Sequence, residues 1–507
     1  MKKQTSNPFW GAGETKDFGK VAIEYAAGED VILDQQLVQY ECLVNQAHVV
    51  MLFKQGLITK KVAKKLLQGL NEIAVLDKHG KFKLQAELED VHSNVEQYLI
   101  KKYGIEIGGY LRLGIARNDQ VYTDTILYLK DNLLVIIETL LVLVQNLADK
   151  AKRELKTIMP GYSHLQISQP ITFGHWLIAK AYHLLDDSEN LTHSLETLNQ
   201  CPLGIVEMSG THLSIDRKLL AKLLGFAKPT ENSLYTANQR GENEAKVLAD
   251  LSLLALHIRR MIQEIIIFAS TEFDLLEIDD LYVTGGTAQP NLKNPDTLEV
   301  IRANCPRIYS KFLEVLLIMD IQTSGYNRDT QQTKPALFVA LKLMKETLSV
   351  FAGILVSLKP NKDQMLKTAR LNFATAPDLV SQLCIKGGVS FGEAYQVVKA
   401  LIKNGYLKKS FEELTPAMVA EASKKVLAKK IVITQANIDA VATAEKCVWS
   451  HTSEGGPAPS QVKKQIHSVT KIMVAVEKQM NLIRTKQKQA FSNLGKEIKQ
   501  IVGGARN

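Results

Sequence analysis

The stretch NEAKVLADLSLLALHIRRMIQEIIIFAS, Asn243 to Ser270, decides the fold class. Wound at 3.6 residues per turn, its part from Leu248 onward is apolar almost all round. A helix apolar on every side must be buried on every side. Upstream, Gln120 to Met159 carries apolar residues at three- and four-residue intervals with charges gathered at both ends. Downstream, Thr297 to Thr323 and Leu337 to Leu358 repeat the pattern. Helices of roughly 25 to 40 residues rise about 40 to 60 Å, enough for a long central bundle. One chain hardly has other elements to cover such a bundle, so oligomerisation through it, with dihedral symmetry, is expected.

The flanking segments complete an all-α expectation, with no internal repeat and no convincing run of alternating strands. Residues 1–114 read as an N-terminal helical domain and 115–358 as the central bundle. Residues 359–460, more polar and punctuated by LNFATAPD, KGGVSFGEA and SEGGPAP, read as a small helical domain. In the tail, residues 461–507, Val462, Ile466, Val469, Ile472, Val476, Met480 and Ile483 form one stripe, with Lys and Arg on the other face. Such an amphipathic helix is expected to dock on its own protein or a partner subunit rather than on a membrane.

The 507 residues carry a formal charge of +9, with 46% hydrophobic and 23% charged residues. Lys and Arg are scattered and locally balanced until the tail, and no basic stripe interleaved with aromatics occurs, so nucleic acid is not an expected partner. Five cysteines, Cys42, Cys201, Cys305, Cys384 and Cys447, are far apart and free of CxxC spacing. That pattern excludes a zinc ribbon and argues against a disulfide framework, making a reducing cytosol the expected compartment. The start, MKKQTSNPFWGAGETKD, lacks the apolar core of a secretory signal. Leu133 to Val144, interrupted by Glu138, reads as a buried core helix and not as a membrane span.

Four polar clusters abut these helices. In LEDVHSNVEQYL, Glu89, Asp90, His92, Asn94 and Glu96 read locally as a solvated helix face with a capping Asp. In LRLGIARNDQVYTD, Asn118 or Asp119 can cap the helix beyond, which leaves Arg117 unexplained; Arg beside a helix N-terminus can hold a carboxylate. In MPGYSHLQISQPITFGHW, Pro160 and Gly161 break a helix, and His164 beside the Ser163 hydroxyl is a general acid/base candidate. In SGYNRDTQQTK, Tyr326, Asn327, Arg328, Asp329, Gln331 and Lys334 gather, and one Arg, one Lys and a phenol in so short a span suit an anionic ligand. A fifth stretch, TGGTAQPNLKNPD, Thr284 to Asp296, is a Gly- and Pro-rich loop between apolar segments.

In this order and spacing the segments, with CPLGIVEMSGTHLSIDR, PTENSLYTANQR and SEGGPAP, resemble the aspartase/fumarase superfamily, and most closely argininosuccinate lyase. The resemblance covers nearly the whole chain up to GGPAP. It implies an aspartase/fumarase-like fold of three helical domains, assembled as a homotetramer whose bundle brings segments of three subunits to each active site. It further implies elimination of fumarate from argininosuccinate to give arginine, in the cytoplasm, with no metal or organic cofactor. Such chemistry needs a base at the acidic C–H, donors on the adjacent carboxylate and an acid for the departing nitrogen.

Carried over, His164 is the general acid/base group and Ser163 a hydroxyl contact to substrate. Arg117 and Asn118 bind carboxylate, with His92 nearby. Tyr326, Gln331 and Lys334 grip the substrate, Arg240 and Asp34 complete the pocket, and Asn294 belongs to the mobile loop. The family loop resembles GSSxMPxKxNP, its first serine acting as base with lysine assistance. Here the serine pair becomes Gly286 and Thr287, and the lysine position becomes Leu292. Asp30 stands where the family has a serine near Asp34. Three readings compete: Thr287 and Lys293 take over the catalytic roles, the chain acts on another fumaryl substrate, or it is a non-catalytic tetramer.

Overall fold

The Asn243–Ser270 pattern becomes one helix, and the helices around it form the frame that holds the site. The structure, a computed structural model, describes residues 17–403 and 407–503; residues 1–16, with the segment read as lacking a secretory signal, and the tail's last four lie outside the described residues. In chain order, α1 spans Asp17–Asp34, α2 Val38–Lys54, α3 Lys60–Lys78, α4 Val91–Tyr103 and α5 Arg117–Arg153. The strands β1 (Ile158–Ser163) and β2 (Gln166–Thr172) come next, then α6 Phe173–Thr197, α7 Glu242–Phe268, α8 Asp296–Met319 and α9 Thr333–Ser357. Beyond the bundle lie α10 (Ala376–Gly387), α11 (Ala444–Ser450) and α12 (Pro459–Gly503).

The bundle is built by α5 on α6, α7 on α6 and α8, and α9 on both α5 and α8. With 37 residues, α5 is about 55 Å long. Its apolar positions, Leu133, Ile136, Ile137, Leu140, Leu143, Val144 and Leu147, are buried, as the spacing requires. Leu251, Leu254, Ile258, Ile262 and Ile265 bury one side of α7. The expectation of burial all round is not met within one chain, because α6 and α8 cover α7 on part of its circumference and Leu253 stays 47% exposed. Val300, Leu313, Leu316 and Leu317 of α8 are exposed as well. The 45-residue α12 lies along α5 and α6, and its Val462, Val469, Val476, Met480 and Ile483 join the main core. A second cluster, around Leu383, Val397, Val398, Phe411 and Ile438, fills the region after α9. No helix among the described residues is long and apolar enough to cross a membrane.

Two further expectations need correction. The helix starting near Gln120 ends at Arg153, not Met159, and it gives way to an antiparallel hairpin where only a helix-breaking loop is expected from the sequence. Pro160 pairs in register with Pro170, and the ladder is irregular between Pro160 and Tyr162. At that irregularity Gly161 lies so close to Gln169 that a Cβ would sit 2.3 Å from its carbonyl oxygen. The hairpin turns at His164 and Leu165, with φ of 55° and 57°. A two-residue turn that matches strand twist needs positive φ at both positions, which Asn and Gly ordinarily supply. Holding His and Leu there costs backbone strain, of a kind that clusters at functional positions.

Candidate active site

The second correction concerns LEDVHSNVE. Asp90 does cap α4, its Oδ1 accepting from the Ser93 N–H at 2.7 Å. The face behind it is not solvated: His92, Asn94 and Glu96 are all buried, because α4 packs on α2, α3 and α5. Burial turns these polar groups into a network. His92 Nδ1 lies 2.8 Å from Glu41 Oε2. Glu96 holds Arg112 at 3.2 Å, and Arg112 donates to Gln120 at 2.9 Å. Burial alone would discharge the His92 ring, but Glu41 and Asp90 hold it above its ordinary value, as an imidazolium. Burial and the Glu41 charge push Asp124 well above the carboxylate range, so it stands beside Glu41 as a neutral acid.

This network backs a cavity of about 590 Å³ where α1, α4, α5 and the start of α9 converge. The cavity brings together Asp34, His92, Arg117, Asn118, Arg240, Tyr326, Gln331 and Lys334, eight of the thirteen residues expected from sequence. Arg117 sits at the first turn of α5 and pairs with Asp90 at 2.9 Å and Glu89 at 3.4 Å. Asp119 fixes this end of α5: its Oδ1 accepts from Ala116 N–H at 2.9 Å, and its Oδ2 from the N–H groups of Gly204 and Val206 at 2.8 and 3.0 Å. That tie sets Glu207 beside Asn118, which donates to it. Lys334, in the first turn of α9, is clamped at 2.7 Å by both Asp30 and Asp34 of α1. Gln331 donates to the Ala26 carbonyl at 3.0 Å, and the Arg240 guanidinium lies 5.5 Å from the Tyr326 ring centre.

Five acids (Asp30, Asp34, Glu89, Asp90, Glu207) and five permanent cations (Arg112, Arg117, Arg240, Arg328, Lys334) line the walls. Two buried nitrogens of residues in this wall, His92 Nε2 and Arg240 Nη1, have no hydrogen-bond partner among the described residues. An unmet buried donor is costly, and charged donors of this kind suit a carboxylate. Ser163, His164, Thr287, Lys293 and Asn294 do not line the cavity. Ser163 and His164 form the exposed tip of the hairpin. The Thr284–Asp296 loop is clasped at its base by paired backbone bonds between Thr284 and Asn294, at 3.0 and 2.8 Å. Thr287 is exposed on it, and Lys293 pairs with Asp280 at 2.8 Å.

Sequence reasoning missed Glu207, Arg112 and the structural weight of Glu41. Glu207 lies in a CPLGIVEMSG run with no polar pattern, and only the fold sets it against Asn118.

A family model described as "Lyase" matches residues 25–310 of this chain. An argininosuccinate lyase of Hahella chejuensis is 34% identical over 466 residues, 92% of this chain and 97% of that protein. One from Chromohalobacter salexigens is 35% identical over 90% and 96%, and one from Geobacillus is 35% identical over 90% and 98%.

The chain belongs to the argininosuccinate lyase family.

Among solved structures, EDDS lyase in complex with formate superposes with a TM-score of 0.81 at 23% identity, covering 97% of both chains. Class II fumarase of Schistosoma mansoni gives 0.70 at 15% identity, over 85% of this chain and 95% of that one. Both show the fold: this argininosuccinate lyase family member shares their nearly all-α architecture.

Asp30 gives this cavity a pH signature. Burial pushes its carboxyl up to about 6 against the pull of Lys334. A carboxyl raised above its unfolded value stabilises the fold while protonated, fully below about pH 4, and that stabilisation fades as pH rises through 6. A shift of this size corresponds to about 3 kcal/mol. Asp30→Asn should therefore flatten the decline in unfolding free energy between pH 4 and 7, measured by denaturant titration at stepped pH. An unchanged slope would rule Asp30 out as its source.

Proposed function

We propose that the chain is an argininosuccinate lyase, eliminating fumarate from argininosuccinate and releasing arginine, a step of arginine biosynthesis. The carrying observation is the cavity with its unmet donors, His92 Nε2 and Arg240 Nη1, in a chain about one-third identical to argininosuccinate lyases along nine-tenths of its length. In this reading Arg117, Asn118, Arg240 and His92 hold carboxylate oxygens. Their charge favours the carbanion formed when the proton leaves the carbon next to the C–N carbon. Asp34, Tyr326, Gln331 and Lys334 position the rest of the substrate. His164 transfers a proton, Ser163 bonds the substrate, and Thr287, Lys293 and Asn294 bring the base.

Those last five residues need a second and a third subunit to reach the cavity, and we propose a homotetramer on that account. The exposed apolar residues Leu253, Val300, Leu313, Leu316, Leu317 and Val356 on the bundle support it, since large apolar surface marks an interface. We keep the division at 114, 358 and 460 as the domain organisation. The five free cysteines fit a cytosolic location.

One observation favours a second reading, a binding protein without turnover: Gly286 and Leu292 occupy the positions of the family's serine and lysine. Another fumaryl substrate is the third. Purified protein mixed with argininosuccinate should raise fumarate absorbance. Binding by titration calorimetry without fumarate would leave the second reading, and turnover of a different fumaryl adduct the third.

A further inference from the structure

We propose that Asp378, Cys447 and His451 form a site for a divalent transition metal of the zinc type, outside the cavity described above. The three donor atoms come from two helices. Asp378 is in the first turn of α10, Cys447 is on α11, and His451 caps the end of α11. Cys447 Sγ lies 3.0 Å from Asp378 Oδ2 and 3.7 Å from His451 Nε2, and His451 Nε2 lies 2.6 Å from Asp378 Oδ1. One donor atom from each residue falls within 4.8 Å of the others.

The spacing is close to what a metal needs. Zinc bonds of about 2.3 Å to sulfur and 2.0 to 2.1 Å to nitrogen, at a tetrahedral angle, separate the two donors by about 3.6 Å. Sulfur and nitrogen already stand 3.7 Å apart. They are held one helical turn apart by their four-residue spacing, and the carboxylate alone must draw back. Thiolate, imidazole and carboxylate together are a borderline-soft set that suits zinc over magnesium or calcium. The fourth position faces Gln169 of β2, whose amide lies 3.3 Å from Asp378 Oδ2, or is filled by water.

Metal entry is balanced by protons. Burial, with Asp378 alongside, raises the Cys447 thiol far above its ordinary value, so without a cation the sulfur keeps its proton and donates it to the carboxylate. Binding forms metal–sulfur, metal–nitrogen and metal–oxygen bonds, releases the thiol proton to solvent and shifts the ring proton of His451 from Nε2 to Nδ1. The other close cluster, Glu41, His92 and Asp124, is different: its charges are already matched inside the cavity wall, with Asp124 neutral. A metal at Asp378 would fasten α10 and α11 beside the hairpin that carries His164, where Asn372 also donates to the Ile167 carbonyl at 3.0 Å.

The test uses full-length protein, stripped with chelator, desalted and titrated with Co²⁺. One equivalent should produce a near-ultraviolet thiolate-to-cobalt band with intense visible bands of a four-coordinate ion, both removed by Zn²⁺. Cys447→Ser should abolish the near-ultraviolet band, and His451→Gln should weaken Co²⁺ binding by about tenfold to a hundredfold or more. Far-ultraviolet circular dichroism of the metal-free variants checks their folding. No band in the parent protein, or a band that survives Cys447→Ser, overturns the site. Should Cys447→Ser not fold, unchanged Co²⁺ affinity in His451→Gln overturns it equally.

Discussion

Thr287→Ala should lower fumarate formation from argininosuccinate by about 10²- to 10⁴-fold, the span a general base contributes. The reasoning rests on what the Thr284–Asp296 loop offers. Gly286 has no group to take a proton, and Leu292 cannot supply a positive charge. Thr287 is the remaining hydroxyl beyond the Thr284–Asn294 clasp, and Lys293 the remaining ammonium. Lys293 is bonded to Asp280, which favours its ammonium form. In the proposed reading that ammonium would stabilise the Thr287 alkoxide, which must lose its own proton before it can take the one on the substrate. The companion experiment rebuilds the family pattern: Gly286→Ser with Leu292→Lys, added to Thr287→Ala, should recover the lost rate. A Cβ at Gly286 would lie 3.0 Å from the Gln289 carbonyl and 3.4 Å from Leu292 Cδ1, so an exposed loop must give only slightly and the second change removes one contact. Full activity in Thr287→Ala would place the base elsewhere in the protein.

The second large effect is on Lys334. Its ammonium is buried between Asp30 and Asp34, so Lys334→Met leaves two carboxylates without their cation. Breaking a buried pair in this way costs about 3 to 5 kcal/mol, because the charge left behind is uncompensated. Thermal unfolding should shift down accordingly, and argininosuccinate binding should vanish in calorimetry. Adding Asp30→Asn and Asp34→Asn to Lys334→Met removes the stranded charges and should restore much of the stability without restoring binding. A triple variant that stays as unstable as the single one would show that packing, not charge, is the reason Lys334 matters.

The long helices were legible because periodicity survives packing: α5, α7 and α8 begin within three residues of the expected starts. The hairpin was not, since Pro160, Gly161 and Pro170 read as breakers, and its turn uses His164 and Leu165 in place of the Asn and Gly that announce such turns. The polar face of α4 looked solvated because amphipathic spacing says which residues share a side and not what covers it; α2 and α5 cover this one. Within the cavity, eight residues were readable through local motifs and the resemblance. Glu207 in the wall and Glu41 behind it were not, because they act through partners 89 and 51 positions away.

The placement of α12 has a consequence for synthesis on the ribosome. Translation delivers α5 and α6 some three hundred residues before the stripe that lies along them, so their trough is open to the solvent of a crowded cell until that stripe emerges. Val462, Val469, Val476, Met480 and Ile483 can fill it only once α12 has been made. A chain released before residue 459 therefore exposes a greasy furrow to chaperones and to other nascent chains, and α12 works as a seal on it.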